Sequence, residues 1–285
     1  MDPPVSGAMW EAVERFHAAC YLAPEVREEA SAVGLKGFWM NYFATRVAPV
    51  GAVGPAIVES SFFYYSPARV QRAIPDAWRY ASPEAVLAAR YRGMDRALRR
   101  IYGRTLDDDS VAEAAELVRR AASGCDRIGR VLHAGWAALP WPEEAHLALW
   151  HGCTLLREYR SGSHLLAVCA EGLDGCESVV SHASVGGGPR DWIQGEAAWS
   201  ADEEARAVAS LQRRGWLDRA GAATAEGRAG RDRIEDLTNR ADLPVWARLG
   251  APSGRRLFDL LAELAIPLGA DDQLDWRHHY PEAGS

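Results

Sequence analysis

Lysine is almost missing: Lys36 is the single one among 32 basic residues, so positive charge is carried by arginine. Arginine grips planar anions with a two-pronged guanidinium where lysine offers only a point charge. A basic surplus is missing as well. The 39 acidic residues leave a net charge of −7, the wrong sign for a protein that lives on phosphate backbones, so non-specific nucleic-acid binding is disfavoured. No apolar run approaches the ~18–20 residues that cross a bilayer, and Met1-Asp2-Pro3-Pro4 lacks the basic-then-apolar profile of a signal peptide. A cytoplasmic protein without membrane contact is expected. The five cysteines (Cys20, Cys125, Cys153, Cys169, Cys176) are odd in number, irregularly spaced and set in apolar stretches, which indicates neither a disulfide framework nor a zinc site. P-loop, G-x-G-x-x-G, H-E-x-x-H and G-x-S-x-G motifs are all absent, so the usual signatures of nucleotide, dinucleotide, zinc-protease and serine-hydrolase chemistry are missing. No metal and no organic cofactor is expected.

What is present is the composition of an ordinary folded chain: 285 residues, 48% hydrophobic and 25% charged, enough for two domains or one large one. Trp10, Val13, Phe16, His17, Cys20 and Tyr21 follow helical spacing up to Pro24, and a second segment from Val26 to Val33 stops at Gly34. The run Phe38 to Arg46 is apolar on nearly all sides, which predicts a buried helix ending at Pro49. Ser66-Pro67 and Ser82-Pro83 each set a capping hydroxyl before a proline, so helices begin there, the second reaching Tyr102. Further helices are predicted at 109–122, 127–138, 143–159, 163–171 and 174–184. Gly186-Gly187-Gly188-Pro189 reads as a flexible connection and a domain boundary, dividing the chain into a helical domain, 1–185, and a second unit, 186–285. In the second unit, Ser200 to Glu203 has capping-box spacing and opens a helix closed by Gly215. Trp216-Leu217-Asp218 and the run to Thr224 flank Ala220-Gly221 as a hairpin, and a long helix runs from Ala225 towards Arg240.

Helix, short ribbon, helix is the outline of a winged helix-turn-helix. Leu211 to Asp218, Ala225 to Arg228 and Ile234 to Thr238 resemble the wing region of MarR-type winged-helix proteins, over the last third of the chain. More broadly, the sequence is similar to a family of actinobacterial proteins of this length that are winged-helix-like and have no settled biochemical role. The segments that carry this likeness are His17 to Glu25, Gly37 to Gly51, Ala73 to Trp78, and Leu149-Trp150-His151 through Thr154 to Glu158 and on to His164. The chain departs from that family's pattern at Tyr64 and Ser66, where Asn and His are expected, and at Tyr159, where His is expected. The resemblance implies a mainly α fold, a helical domain packed on a degenerate winged helix. In a DNA-docked winged helix the recognition helix would here open with Asp202, Glu203 and Glu204, which repel phosphates. Residues 201–240 hold eight acidic and eight basic side chains, so DNA is disfavoured without being excluded. Arg213, Arg214 and Arg219 read as a solvated face with Glu203, Glu204 and Asp218.

Candidate chemistry lies in the first two thirds. His17 and Tyr21, four apart on one face, with Glu25 past the Pro24 turn, would place a base, a phenol and a carboxylate together; the structural alternative is an internal hydrogen-bond network. Asn41, Tyr42 and Arg46 interrupt the most apolar helix. The arginine there is either paired, with Glu25 or Glu59, or meets a ligand anion. His151, Thr154 and Glu158 fall on one helical stripe, while Arg157 and Arg160 lead into Ser161-Gly162-Ser163, read as a turn. Two guanidinium groups, turn hydroxyls and the amides opening the next helix would form a receptor for carboxylate, sulfate or phosphate, with His164 moving a proton. The alternative pairs Arg157 with a core carboxylate and leaves Arg160 solvated. Trp39, Trp150, Phe62, Phe63, Tyr64 and Tyr65 are candidates for an apolar wall. His278-His279 reads as polar, unstructured surface.

The expectation is a cofactor-independent protein acting on a small anionic metabolite in specialised metabolism. Arg157, Arg160 and Arg46 would bind the anion, while His17, His151 or His164 with Glu25 or Glu158 move the proton. Elimination or ring closure with loss of sulfate or phosphate, as in aziridine formation, is one version. A MarR-like ligand-sensing regulator or a non-enzymatic binding protein is the competing class. A homodimer or a small partner protein stays open.

Overall fold

Side-chain caps set five of the helix starts among the described residues, at Ser66, Ser82, Asp174, Ser200 and Thr224. The computed structural model describes residues 3–274 and 276, and His278-His279 lies outside them. The chain opens with α1 (Pro3–Leu22), α2 (Pro24–Ala32) and α3 (Gly37–Val47). Short helices α4 (Pro55–Ser61), α5 (Pro67–Gln71) and α6 (Ala77–Tyr80) lead to α7 (Pro83–Tyr102), α8 (Asp109–Ala122) and α9 (Val131–Trp136). Then come α10 (Ala145–Ala170), α11 (Gly175–Ser184), α12 (Asp191–Gln194), α13 (Ala201–Arg213), α14 (Ala225–Leu249) and α15 (Ala251–Ala270). The Ser66 and Ser82 hydroxyls accept from the amides of Arg69 and Ala85, as the Ser-Pro pairs predict. Ser200 and Glu203 form the capping box, and Asp174 with Glu177 forms another.

Two elements differ from the expectation in ways that matter for the site. Ser161-Gly162-Ser163 is not a turn but the middle of α10, a single 26-residue helix. A Cβ on Gly162 would lie 2.7 Å from Arg130 Cγ, so glycine is there for close approach, and packing outweighs its cost of about 1 kcal/mol in a helix. Ser163 donates to the Tyr159 carbonyl (3.0 Å) and accepts from Arg130 Nε (3.1 Å), which keeps its hydroxyl satisfied inside the helix. The expected hairpin is the second difference: the described residues there form one antiparallel bridge, Leu217 to Ala223. Asp218 draws the turn together by accepting from the amides of Ala220 and Ala222, both at 2.9 Å, so the chain reverses too tightly to extend a ladder. α14 also runs past Arg240 and through Pro244, because Val245, Trp246 and Leu249 bury against the central helices.

The apolar side chains form three clusters. One joins α1, α7, α8, α10 and α15 around Phe16, Leu98, Trp136, Trp150 and Leu261. A second gathers α3 to α7 around Phe43, Phe62 and Ile74. The third, around Val168, Ile193, Leu211 and Ile234, draws on both sides of residue 185, since α11 packs on α13. All three contribute to the wall of one large cavity. No helix among the described residues is long and apolar enough to cross a membrane.

Candidate functional site

The cavity measures about 1010 Å³, at the upper end of what small-molecule sites occupy. Its aromatic side is built from Phe38, Trp39 and Tyr42 of α3 with Phe62, Tyr64, Tyr65 and Trp192. These rings pack edge-on and tilted, Tyr42 to Tyr65 at 5.7 Å and Tyr65 to Trp192 at 5.6 Å. Its polar side carries Arg46 from α3, Arg157, Arg160, Ser161 and His164 from α10, His182 from α11, and Arg231 and Glu235 from α14. The glycine run anticipated as a linker is part of the wall: Gly187 and Gly188 line it. A Cβ on Gly187 would come within 2.1 Å of the His182 ring, so only glycine lets the backbone lie on that imidazole.

All three arginines anticipated as anion receptors are held by internal acids, Arg160 included, which is therefore not solvated. Arg46 donates to both oxygens of Glu158 (2.9 and 2.8 Å) and to the Tyr42 hydroxyl (2.6 Å); its partner is therefore neither Glu25 nor Glu59. Arg157 bridges Glu14 (3.3 Å) and Glu158 (3.2 Å), and Arg160 donates to Asp242 at 2.6 Å. Burial alone would raise the Glu158 pKa, but Arg46 and Arg157 outweigh it and hold the carboxyl below its ordinary value. Asp242 behaves in the opposite way: burial pushes it up to about 6 despite Arg160. With α10 continuous, the turn hydroxyls and helix-opening amides of the expected receptor do not exist at Ser161-Gly162-Ser163.

Arg231 is different. It is 4% exposed, its Nε and Nη1 have no hydrogen-bond partner, and the nearest carboxylate, Glu235, stands 3.6 Å from Nη2. Burial lowers its basicity and Glu235 only partly restores it. The neighbouring Tyr64 hydroxyl is likewise buried without a partner, and burial raises its pKa. Among the described residues that line the cavity, these two carry buried side-chain donors without a partner, and such donors are costly. Of the positions that depart from the family's pattern, Tyr64 faces the cavity, whereas Ser66 caps α5 and Tyr159 donates to the Ala241 carbonyl (3.2 Å).

His164 borders this pair. Its Nδ1 is 3.0 Å from Thr238 Oγ1, and that hydroxyl gives its own proton to the Ile234 carbonyl (2.8 Å). The imidazole therefore donates from Nδ1, leaving Nε2 as the basic atom. Burial, reinforced by Arg231, pushes its pKa down to about 3, and burial pushes His182 down to about 4. The same device recurs at His17: Nδ1 is 3.0 Å from Thr154 Oγ1, which donates to the Trp150 carbonyl (3.0 Å), so Nε2 accepts from the Tyr21 hydroxyl at 2.8 Å. Tyr21 lines the cavity, while His17 and Thr154 stand behind it with no exposed surface.

The remaining anticipated residues lie elsewhere. Glu25 does not join His17 and Tyr21; it is drawn outward to Arg100, which also donates to Asp271. His151 sits two turns earlier than Glu158 on α10, 2.6 Å from the Tyr91 hydroxyl and edge-on to Trp141, and burial pushes it to about 4. His151 and Glu158 share a stripe but stand about 10 Å apart along the helix axis, so they meet different neighbours. Asn41 is buried and does not line the cavity, with its side-chain Oδ1 unpaired. Trp150 is core, donating weakly to the His17 carbonyl, and Phe63 packs against the third cluster. Sequence reasoning does not single out Arg231, Glu235 or His182, and it reads Tyr64 only as part of an apolar wall, not for its hydroxyl. The signal for Arg231 was an arginine interrupting the buried stripe Gly227, Ile234, Thr238.

Among the described residues no group of three or more His, Cys, Asp or Glu side chains is placed to hold a metal ion. Two of the three acids opening α13 are engaged locally: Glu203 accepts from the Ser200 amide (2.8 Å), and Glu204 accepts from Gln194 (2.6 Å). Arg214 is not merely solvated; it donates to the carbonyls of Glu171 and Gly172 (2.6 and 2.8 Å), closing the C-terminus of α10.

A mainly helical chain, with a capped helix, a one-bridge turn and a second long helix towards its C-terminus, has the outline of a helix-turn-helix protein. The chain belongs to a helix-turn-helix family, whose model matches residues 6–274. No curated protein and no solved structure matches it.

Proposed function

We propose that the cavity receives a small metabolite with an anionic group and an apolar body, and that His164 moves a proton on it without a metal or organic cofactor. The observation that carries this reading is Arg231, a buried guanidinium on the cavity wall that lacks a close counter-ion. An anion bound there and against Arg160 restores the missing charge and hydrogen bonds, while the aromatic side covers the rest of the molecule. The same anion arms the base. A free His164 is too weak, but a negative charge beside it favours the imidazolium and raises its pKa towards the working range. In the elimination or ring-closure version, a substrate N–H or C–H gives its proton to Nε2. The electron pair left behind forms the new ring bond or double bond as the bond to sulfate or phosphate breaks, and the departing oxyanion stays against Arg231 and Arg160. Aziridine formation in specialised metabolism is one reaction of this type.

The family favours a second reading, a MarR-like ligand-sensing regulator. α14 supports it, because Gly227 and Gly230 pack on Trp216 at its start and Arg231 reaches the cavity one residue later. Soaking crystals with sulfate and phosphate separates site from no site: density against Arg231 is expected, lost in Arg231→Gln, and an empty cavity in the parent protein would refute the anion reading. Salt-dependent retention on heparin by a dimer would favour the regulator.

A further inference from the structure

The carboxylates around the cavity are not held alike. Glu158 and Asp242 sit 2.8 and 2.6 Å from their guanidinium partners, with almost no exposed surface. Glu235 touches nothing closely: Oε1 is 3.6 Å from Arg231 Nη2 and 3.7 Å from His164 Nδ1, and Oε2 is 3.7 Å from Arg160 Nη2. One carboxylate thus faces two guanidinium groups beyond hydrogen-bond range, on a side chain that is 47% exposed. Such a pair is worth little and is screened by solvent. Glu235 stands one turn after Arg231 on α14, so a rotamer change carries it into water without moving the backbone. Arg231 has no such freedom, being buried and rooted in the helix.

We infer that Glu235 is a resident stand-in for the anionic group of the ligand, displaced when a tetrahedral oxyanion of the phosphate or sulfate class enters between Arg160 and Arg231. This rests on the anion-binding reading above and gives it a substrate class. A carboxylate offers two oxygens, as Glu235 already does, and has little advantage over it. A tetrahedral oxyanion offers a third, and the free ion a second charge, so it can engage both guanidinium groups, which the resident carboxylate faces only from 3.7 and 3.6 Å. Glu235 then acts as a selectivity filter: neutral and weakly anionic molecules leave it in place.

The test is calorimetric titration of the full chain with inorganic phosphate, inorganic sulfate and acetate, using the parent protein and Glu235→Gln. The exposed position of Glu235 lets the variant fold, which a thermal melt checks. Removing the competing charge is expected to tighten phosphate and sulfate about fivefold, the size of one partly exposed charge pair, and to reduce the parent's preference for them over acetate. Equal or weaker phosphate binding by Glu235→Gln, with the parent still binding, would overturn the stand-in role and leave the anion site intact. Absence of phosphate and sulfate binding in both proteins would overturn the anion reading and this inference with it.

Discussion

Glu158→Gln removes the centre of the buried charge cluster beneath the cavity. The carboxylate has no exposed side-chain surface, accepts two hydrogen bonds from Arg46 and a third from Arg157, and is the only partner the two guanidinium groups share among the described residues. Glutamine keeps the shape and one acceptor but leaves Arg46 and Arg157 repelling each other, with Glu14 the remaining carboxylate on Arg157 at 3.3 Å. Breaking a buried ion pair by removing one partner costs ~3–5 kcal/mol. For a chain of this size that is a fall in Tm of about 10 °C, read by circular dichroism or calorimetry at pH 7. The pH dependence gives a second handle. The folded-state pKa of Glu158 lies below its ordinary 4.5, so its contribution is fully present above the unfolded value and is lost as pH falls through the folded one. The stability gap between parent and variant should therefore shrink in that acid window and stay constant from pH 6 to 8. A Tm within about 2 °C of the parent at pH 7 would refute the argument, because it would mean that the arginines are neutralised by solvent in the cavity and not by Glu158.

Gly93→Ala is expected to cost about 2 kcal/mol or more, since a Cβ there would lie 2.6 Å from the Val26 Cα of α2 and neither backbone can yield; urea unfolding measures it, and an unchanged midpoint would show that the α2–α7 contact is looser than described. For His164, a ¹³C-labelled histidine titration should find the imidazole neutral from pH 8 to 5, given its pKa of about 3. Addition of phosphate should raise that midpoint, because the anion stabilises the imidazolium. A midpoint near 6.5 in the ligand-free protein would show that His164 is solvated and not desolvated by the cavity.

Local chemistry made much of the fold legible. Ser-Pro pairs, the Ser200–Glu203 box and Gly34, whose φ of 98° closes the second helix, act within a few residues of themselves and so read correctly from the string. Ser161-Gly162-Ser163 misled for the same reason. Its turn-like composition is answered by Arg130, some thirty positions away, which fills the space over Gly162 and bonds Ser163. At the site, Tyr21, Trp39, Tyr42, Arg46, Arg157, Arg160 and His164 do meet the cavity. His17, Glu25, Asn41, His151, Thr154 and Glu158 do not line it, because helical spacing shows that residues share a face but not what that face meets.

Residue types alone determined a helical chain with arginine as its cation, and aromatic and basic side chains concentrated in the helices that later surround one space. Which guanidinium groups are neutralised was decided only by the packing of α10 against α3, α1 and α14. That packing supplies Glu158, Glu14 and Asp242 to Arg46, Arg157 and Arg160, from up to 143 positions away, and leaves Arg231 short of a partner. A charge pair depends on a few ångströms in space, and sequence separation carries no information about that distance.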